Sequence, residues 1–209
     1  MSEKLEPSQV SGVSRRGFLK GLSVGSMATG LLSPAVPSAE AAARGSAIQG
    51  PGEIPITLKI NGKNQKLSVE PRVTLLDALR NRLDLTGSKK VCDRGTCGAC
   101  TVIVDGHPVY SCSMLAIEAE GRAITTIEGL GTPARMSAVQ KAFVKHDAQQ
   151  CGFCTPGFVV ASTAFLRLNP NPTLEHAQAG LGGNLCRCGT YTHMAEAVVE
   201  ASKSMKGGA

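Results

Sequence analysis

Eight cysteines carry the chemistry available to this 209-residue sequence. The first four read C-x4-C-x2-C and then one more: Cys92-Asp-Arg-Gly-Thr-Cys97-Gly-Ala-Cys100, followed by Cys112. Three thiolates on one tight loop and a fourth from a later segment can close a tetrahedral sulfur shell around each of two irons, and this spacing suits a [2Fe–2S] cluster. Gly95 and Gly98 let the backbone fold closely around such a group, with N–H groups free to turn toward sulfur. Structural zinc is the alternative chemistry for four cysteines. Zinc knuckles split into two short C-x2-C pairs, however, whereas three ligands here crowd one loop.

The second four come as two pairs, Cys151-Gly-Phe-Cys154 and Cys186-Arg-Cys188. Each pair sits just ahead of a helical period. Helix N-termini carry partial positive charge and unpaired N–H groups, so two of them converging would stabilise an anionic iron–sulfur cluster held by four thiolates. C-x-C is uncommon for structural zinc, and a disulfide within it would be strained. The C-x2-C pair alone could pass for a thioredoxin-like redox site, but that needs a βαβ context and the surroundings here are helical.

The elements that must position these sulfurs follow from the pattern. Ile56, Leu58 and Ile60 alternate with Thr57 and Lys59, which predicts a half-buried strand. Asn61-Gly62 is a hairpin turn, and Lys66 to Val69 supply the return strand. Thr74 caps a helix carrying Leu75, Leu76, Leu79 and Leu83 up to Asp84. After the cysteine loop come strands over Thr101–Val104 and near Val109, separated by Asp105-Gly106, and a closing strand over Ala123–Ile127. His107, beside that turn, reads as a solvated residue rather than a ligand.

From Thr132-Pro133 the period becomes helical. Helices are predicted from about Ala134 to His146 (Val139, Ala142, Phe143), after Pro156 (Phe158, Ala161, Phe165, Leu168), from Pro172-Thr173 through Leu181, and finally through Met194, Ala197, Val198 and Ala201. The fold class is therefore α+β. A small sheet with one helix spans 54–131, and a four-helix domain spans 132–209.

Residues 1–43 read as an address. Arg15-Arg16 precedes a mildly apolar run, Gly21 to Val36, too short and too rich in Gly, Ser and Pro to span a bilayer. Ala-x-Ala cleavage points end at Ala41 or Ala43. Residues 44–53 form a flexible lead-in.

The bulk numbers add limits. Aromatic residues make up only 3% of the chain and Trp is absent, so the core is aliphatic. The formal charge of +6 does not point to nucleic acid, because Lys and Arg are scattered without stacking aromatics among them. Two oxidised clusters would also remove about four of those charges.

The first half resembles β-grasp plant-type ferredoxins. The order of motifs, ferredoxin loop and then Gln150-Cys151-Gly-Phe-Cys154…Cys186-Arg-Cys188, resembles the iron–sulfur subunit of molybdenum hydroxylases, the family of xanthine dehydrogenases and aldehyde oxidoreductases. It is most similar to the periplasmic aldehyde oxidoreductase branch. The N-terminus resembles bacterial twin-arginine signals, a route that exports folded proteins. Such a route lets thiolates leave the cytoplasm already locked onto iron, where an exported chain would otherwise be read as disulfide-bonded.

The resemblance implies two [2Fe–2S] clusters, on Cys92, Cys97, Cys100 and Cys112 and on Cys151, Cys154, Cys186 and Cys188. It implies a molybdenum–pterin cofactor on a large partner subunit that oxidises aldehydes or N-heteroaromatics. Electrons would pass onward to FAD on a third subunit or to a cytochrome. Gln150 and Cys188 would lie against the pterin. The twin-arginine translocase would be a transient partner, with no integral membrane segment. Gly189-Thr190-Tyr191 departs from the Thr-Gly-Tyr usual in xanthine dehydrogenases. Two other readings are a freestanding exported [2Fe–2S] carrier and a secreted disulfide-stapled binding module.

Overall fold

Alternating apolar residues build the first sheet. The protein's structure, a computed structural model, describes residues 50–206; the twin-arginine segment, its cleavage points and residues 44–49 of the lead-in lie outside the described residues. Strand β1 (Ile54–Ile60) buries Ile56, Leu58 and Ile60 and turns at Asn61-Gly62, both at positive φ, into antiparallel β2 (Lys63–Val69). Helix α1 (Leu75–Arg82) starts at Thr74, whose hydroxyl accepts from the Asp77 N–H. Its Leu75, Leu76 and Leu79 are buried.

Strands β3 (Thr101–Val104), β4 (His107–Tyr110) and β5 (Ala123–Thr125) complete a sheet ordered β2-β1-β5-β3-β4, with β1 and β5 parallel. The closing strand is shorter than its apolar run suggests. Beyond Thr125 the Thr126 N–H donates to Asn61 Oδ1 at 2.9 Å, and residues Ile127–Gly129 turn into a 3-10 helix. Glu128 there accepts from the Gly87 N–H at 2.8 Å and from the Thr126 hydroxyl. His107 is exposed at the hairpin turn.

Four helices follow: α2 (Ala138–Lys145), α3 (Thr155–Leu168), α4 (Leu174–Gly180) and α5 (Tyr191–Lys206). The first begins later than Ala134, because Thr132 and Arg135 close a turn and Ser137 with Gln140 forms a reciprocal capping box. Val139, Ala142, Phe143, Phe158, Met194, Ala197, Val198 and Ala201 build one apolar core, with Ile127 and Leu130 packed against it. Leu168, at the end of the predicted apolar stripe, is instead 68% exposed. No described helix is long and apolar enough to cross a membrane.

Sheet and helices pack directly on one another. Ile103 of β3 is buried with Val160 and Ala164 of α3. All described residues fall in one compact unit.

Candidate metal centres

The first site is a loop tied at both ends. Arg80 of α1 donates to the carbonyls of Thr86 and Ser88 at 2.7 and 2.8 Å, and the Lys89 N–H donates to the Ala99 carbonyl at 3.0 Å. Within it Asp93, Gly95 and Gly98 take positive φ, which folds the chain back on itself. The Gly95 N–H thereby points at Cys112 Sγ (3.3 Å) and the Thr96 N–H at Cys92 Sγ (3.4 Å). A β-carbon on Gly95 would lie 2.6 Å from Ser113 Oγ, so the close approach needs glycine. Cys112 reaches the loop from the 3-10 turn after β4, and Cys100 and Cys112 are buried with Leu76 of α1.

The sulfurs come as pairs. Cys92 lies against Cys97, and Cys100 against Cys112. The Thr96 hydroxyl, helped by backbone N–H groups, brings the Cys92 thiol down to about 6 despite its burial cost, while burial pushes Cys100 up.

The second site joins two helix starts. Cys154 is the residue before α3, and Cys186 and Cys188 precede α5. Cys154 lies against Cys186, and Cys151 against Cys188. Cys186 is held firmly: its N–H donates to Tyr191 Oη at 2.7 Å, and its sulfur lies 3.3 Å from Thr190 Oγ1. The Tyr191 ring packs edge-on against Phe158 of α3 at 6.2 Å.

The two thiols of the Cys154–Cys186 contact are pushed in opposite directions. Burial, reinforced by neighbouring Cys186, pushes the Cys154 thiol up to about 12. Cys186, also penalised by burial, is brought down to about 7 by the Thr190 hydroxyl and nearby backbone N–H groups. Gln150 and Cys151 are exposed and Cys188 half-buried, so this site opens at the surface.

This pairing fits a two-iron core, which takes two thiolates on each iron. Among the described residues no three His, Cys, Asp or Glu side chains gather as a single-ion site. Soft sulfur donors in pairs, met by backbone N–H groups, are the donor set of an iron–sulfur cluster.

A bridge that the sequence does not announce connects the two sites. The Leu185 N–H donates to the Cys97 carbonyl at 2.9 Å, next in chain to Cys186. Buried Asn184 donates from Nδ2 to the Gly98 carbonyl at 2.9 Å and lies 3.4 Å from Thr101 Oγ1. Tyr110 Oη donates to the Gly183 carbonyl at 2.7 Å. Gly157, on the first turn of α3, sits so close that a β-carbon there would lie 2.4 Å from the Gly98 oxygen. Both cysteine pairs of the helical site thus rest on the stretch Cys97-Gly98-Ala99. Only the turn-forming Gly183 and the polar Asn184 beside Cys186 hint at this in the sequence.

Comparison with known proteins agrees with this arrangement. Residues 58–125 match the family model of a 2Fe-2S iron–sulfur cluster binding domain, and residues 126–199 match that of a [2Fe-2S] binding domain. The chain is 40% identical to the aldehyde oxidoreductase iron–sulfur-binding subunit PaoA of Escherichia coli K12, over 97% of this chain and 93% of that one. It is 47% identical to the nicotine 6-hydroxylase small subunit of Paenarthrobacter nicotinovorans, over 71% of this chain and 89% of that one. Quinoline 2-oxidoreductase from Pseudomonas putida 86 superposes with a TM-score of 0.71 at 40% identity, covering 75% of this chain and 98% of that chain. With two paired-sulfur sites in this order and relatives matched nearly end to end, the chain belongs to the family of iron–sulfur subunits of molybdenum hydroxylases.

Proposed function

We propose that this chain is the electron relay of an exported molybdenum-dependent oxidoreductase acting on aldehydes or N-heteroaromatics. Cys92, Cys97, Cys100 and Cys112 hold one [2Fe–2S] cluster, and Cys151, Cys154, Cys186 and Cys188 hold the other. The observation that carries this reading is the direct joining of two paired-sulfur sites, in which the Leu185 N–H beside Cys186 donates to the Cys97 carbonyl at 2.9 Å. When bound, a [2Fe–2S] cluster takes up and releases one electron without forming bonds to substrate.

The chain's own residues do the rest. Gly95 and Thr96 direct N–H groups at ligand sulfurs and so offset their charge. Asn184 and Tyr110 clamp the loop of Gly183 to Leu185 and fix the separation of the sites. Substrate chemistry takes place on a large subunit carrying the molybdenum–pterin cofactor. Gln150 and Cys188 face its pterin, a placement supported by the exposure of Gln150 and Cys151 at the open edge of the helical site.

Phe153, Leu185 and Tyr191, 52%, 53% and 43% exposed, give that edge an apolar rim suited to a permanent partner. A freestanding carrier has no use for such a rim. FAD on a third subunit, or a cytochrome, receives the electrons. Export to the periplasm by the twin-arginine route is supported by Ser14-Arg15-Arg16 ahead of the mildly apolar run Gly21 to Val36.

The test is iron and acid-labile sulfide in the native complex, expected at two of each per four cysteines. In Cys188→Ser the helical-domain paramagnetic signal should be lost or altered and reduction by substrate slowed, while the other signal persists. Native protein free of iron refutes the ligand assignment.

A further inference from the structure

Thr190 is the residue at which this chain carries Gly-Thr-Tyr after its last cysteine. Its side chain is buried, 7% exposed, and its hydroxyl oxygen lies 3.3 Å from Cys186 Sγ. Among the described residues that sulfur is the hydroxyl's hydrogen-bond partner. A threonine ahead of a helix ordinarily turns its oxygen toward N–H groups of the first turn. Here α5 begins at Tyr191, and Thr190 contributes its carbonyl to the helix, accepting from the Met194 N–H at 3.1 Å. The hydroxyl is left for the sulfur.

In the metal-free thiol either atom can donate. A metal-bound thiolate has no proton and can only accept, so the Thr190 O–H must then be the donor. We propose that Thr190 is a positioning residue that raises the reduction potential of the helical-domain centre by donating a hydrogen bond from its hydroxyl to Cys186 Sγ. The inference rests on the ligand assignment made above for Cys186.

The sign follows from charge. One-electron reduction adds negative charge that is shared by the ligand sulfurs, and no atom is transferred. A donor aimed at a sulfur therefore stabilises the reduced form more than the oxidised form. The backbone N–H groups of Gly189 and Thr190 also turn toward this sulfur, while the Cys186 N–H goes to Tyr191 Oη. The hydroxyl is thus a side-chain device that can be removed without touching the backbone.

The experiment is a redox titration of the assembled native complex, following the paramagnetic signals of both centres, for the native chain, Thr190→Val and Thr190→Ser. Thr190→Val keeps the shape and removes the donor. It should lower the potential of the helical-domain centre, changing its oxidised-to-reduced ratio at fixed potential by about tenfold; for one electron that corresponds to about 59 mV. Thr190→Ser restores the donor and should titrate with the native chain. The ferredoxin-domain centre should not move in either variant.

Full iron content with an unshifted Thr190→Val potential overturns the proposal. Where Thr190→Val does not retain iron, Thr190→Ala decides on the same criterion. If both lose iron while Thr190→Ser holds it, the hydroxyl is needed for assembly and the tuning role is overturned. Absence of iron from the native complex would instead refute the ligand assignment, a result recognisable before any variant is titrated.

Discussion

Gly157→Ala sets two physical effects against each other with opposite signs. Gly157 lies on the first turn of α3 without the positive φ that would demand glycine. By helix propensity alone, alanine there would stabilise by about 1 kcal/mol. The site forbids it. A β-carbon would lie 2.4 Å from the Gly98 oxygen, 3.0 Å from Ala99 Cα and 3.2 Å from the Ala99 carbonyl carbon, all backbone atoms. An ordinary carbon–oxygen contact needs about 3.3 Å, so α3 and the cysteine loop must part by roughly 1 Å.

Overpacking of this kind costs about 1–3 kcal/mol. The same movement strains the Leu185 N–H bond to Cys97 and the Asn184 bond to Gly98, both 2.9 Å. Each is worth about 1 kcal/mol net. Subtracting the propensity gain leaves a loss of about 2–4 kcal/mol with both bonds lost, which corresponds to about 4–16 °C in Tm for a domain of this size. Denaturant unfolding of the iron-loaded chain measures it, with Gly52→Ala as control because a β-carbon at Gly52 meets nothing within 4 Å. A Gly157→Ala chain as stable as the native one would refute the claim that α3 rests on the cysteine loop.

Two further outcomes follow from the same geometry. Ser137→Ala removes the reciprocal cap of α2 and should cost about 1 kcal/mol in the same unfolding measurement. In the metal-free chain Cys92, brought down to about 6 chiefly by the Thr96 hydroxyl, should be alkylated at a rate already near its plateau at neutral pH. That rate should halve near pH 6 as the thiolate takes up a proton. Thr96→Val should move the midpoint upward, and mass mapping of the alkylated peptide reads both.

Much of this was legible because its causes are local. Asn61-Gly62 takes the positive φ values that a tight hairpin requires. Thr74 caps α1, and Pro156 sits in the first turn of α3, because those residue types satisfy helix ends wherever they occur. The later start of α2 was also written locally, in Ser137 and Gln140, but the apolar period ran past it. What could not be read is whatever depends on partners far along the chain. Strand β5 enters the sheet parallel to β1, and it ends at Thr125 because Asn61 takes the next N–H. The Asn184 partner is 86 residues away, and nothing in its own neighbourhood names it.

That non-local clasp bears on why the two cysteine sites share one unit. Separate domains on a linker would each need only their own loop, and the distance between their metals would fluctuate. Here the Cys97–Ala99 stretch is at once part of the cysteine loop of one site and the floor on which α3 and the Leu185 segment of the other rest. Fixing the separation asks for small residues where backbones meet, which Gly98 and Gly157 supply, and for a satisfied buried amide, which Asn184 supplies. The Asn184 amide bonds to the Gly98 carbonyl and lies beside the Thr101 hydroxyl, and the Gly157 position faces the Gly98 and Ala99 backbone, so these contacts serve the junction of the two sites. Gly98, Gly157 and Asn184 are the residues a relay requires and a pair of independent metal-binding domains does not. Loosening them should slow passage of electrons between centres whose iron content is unchanged.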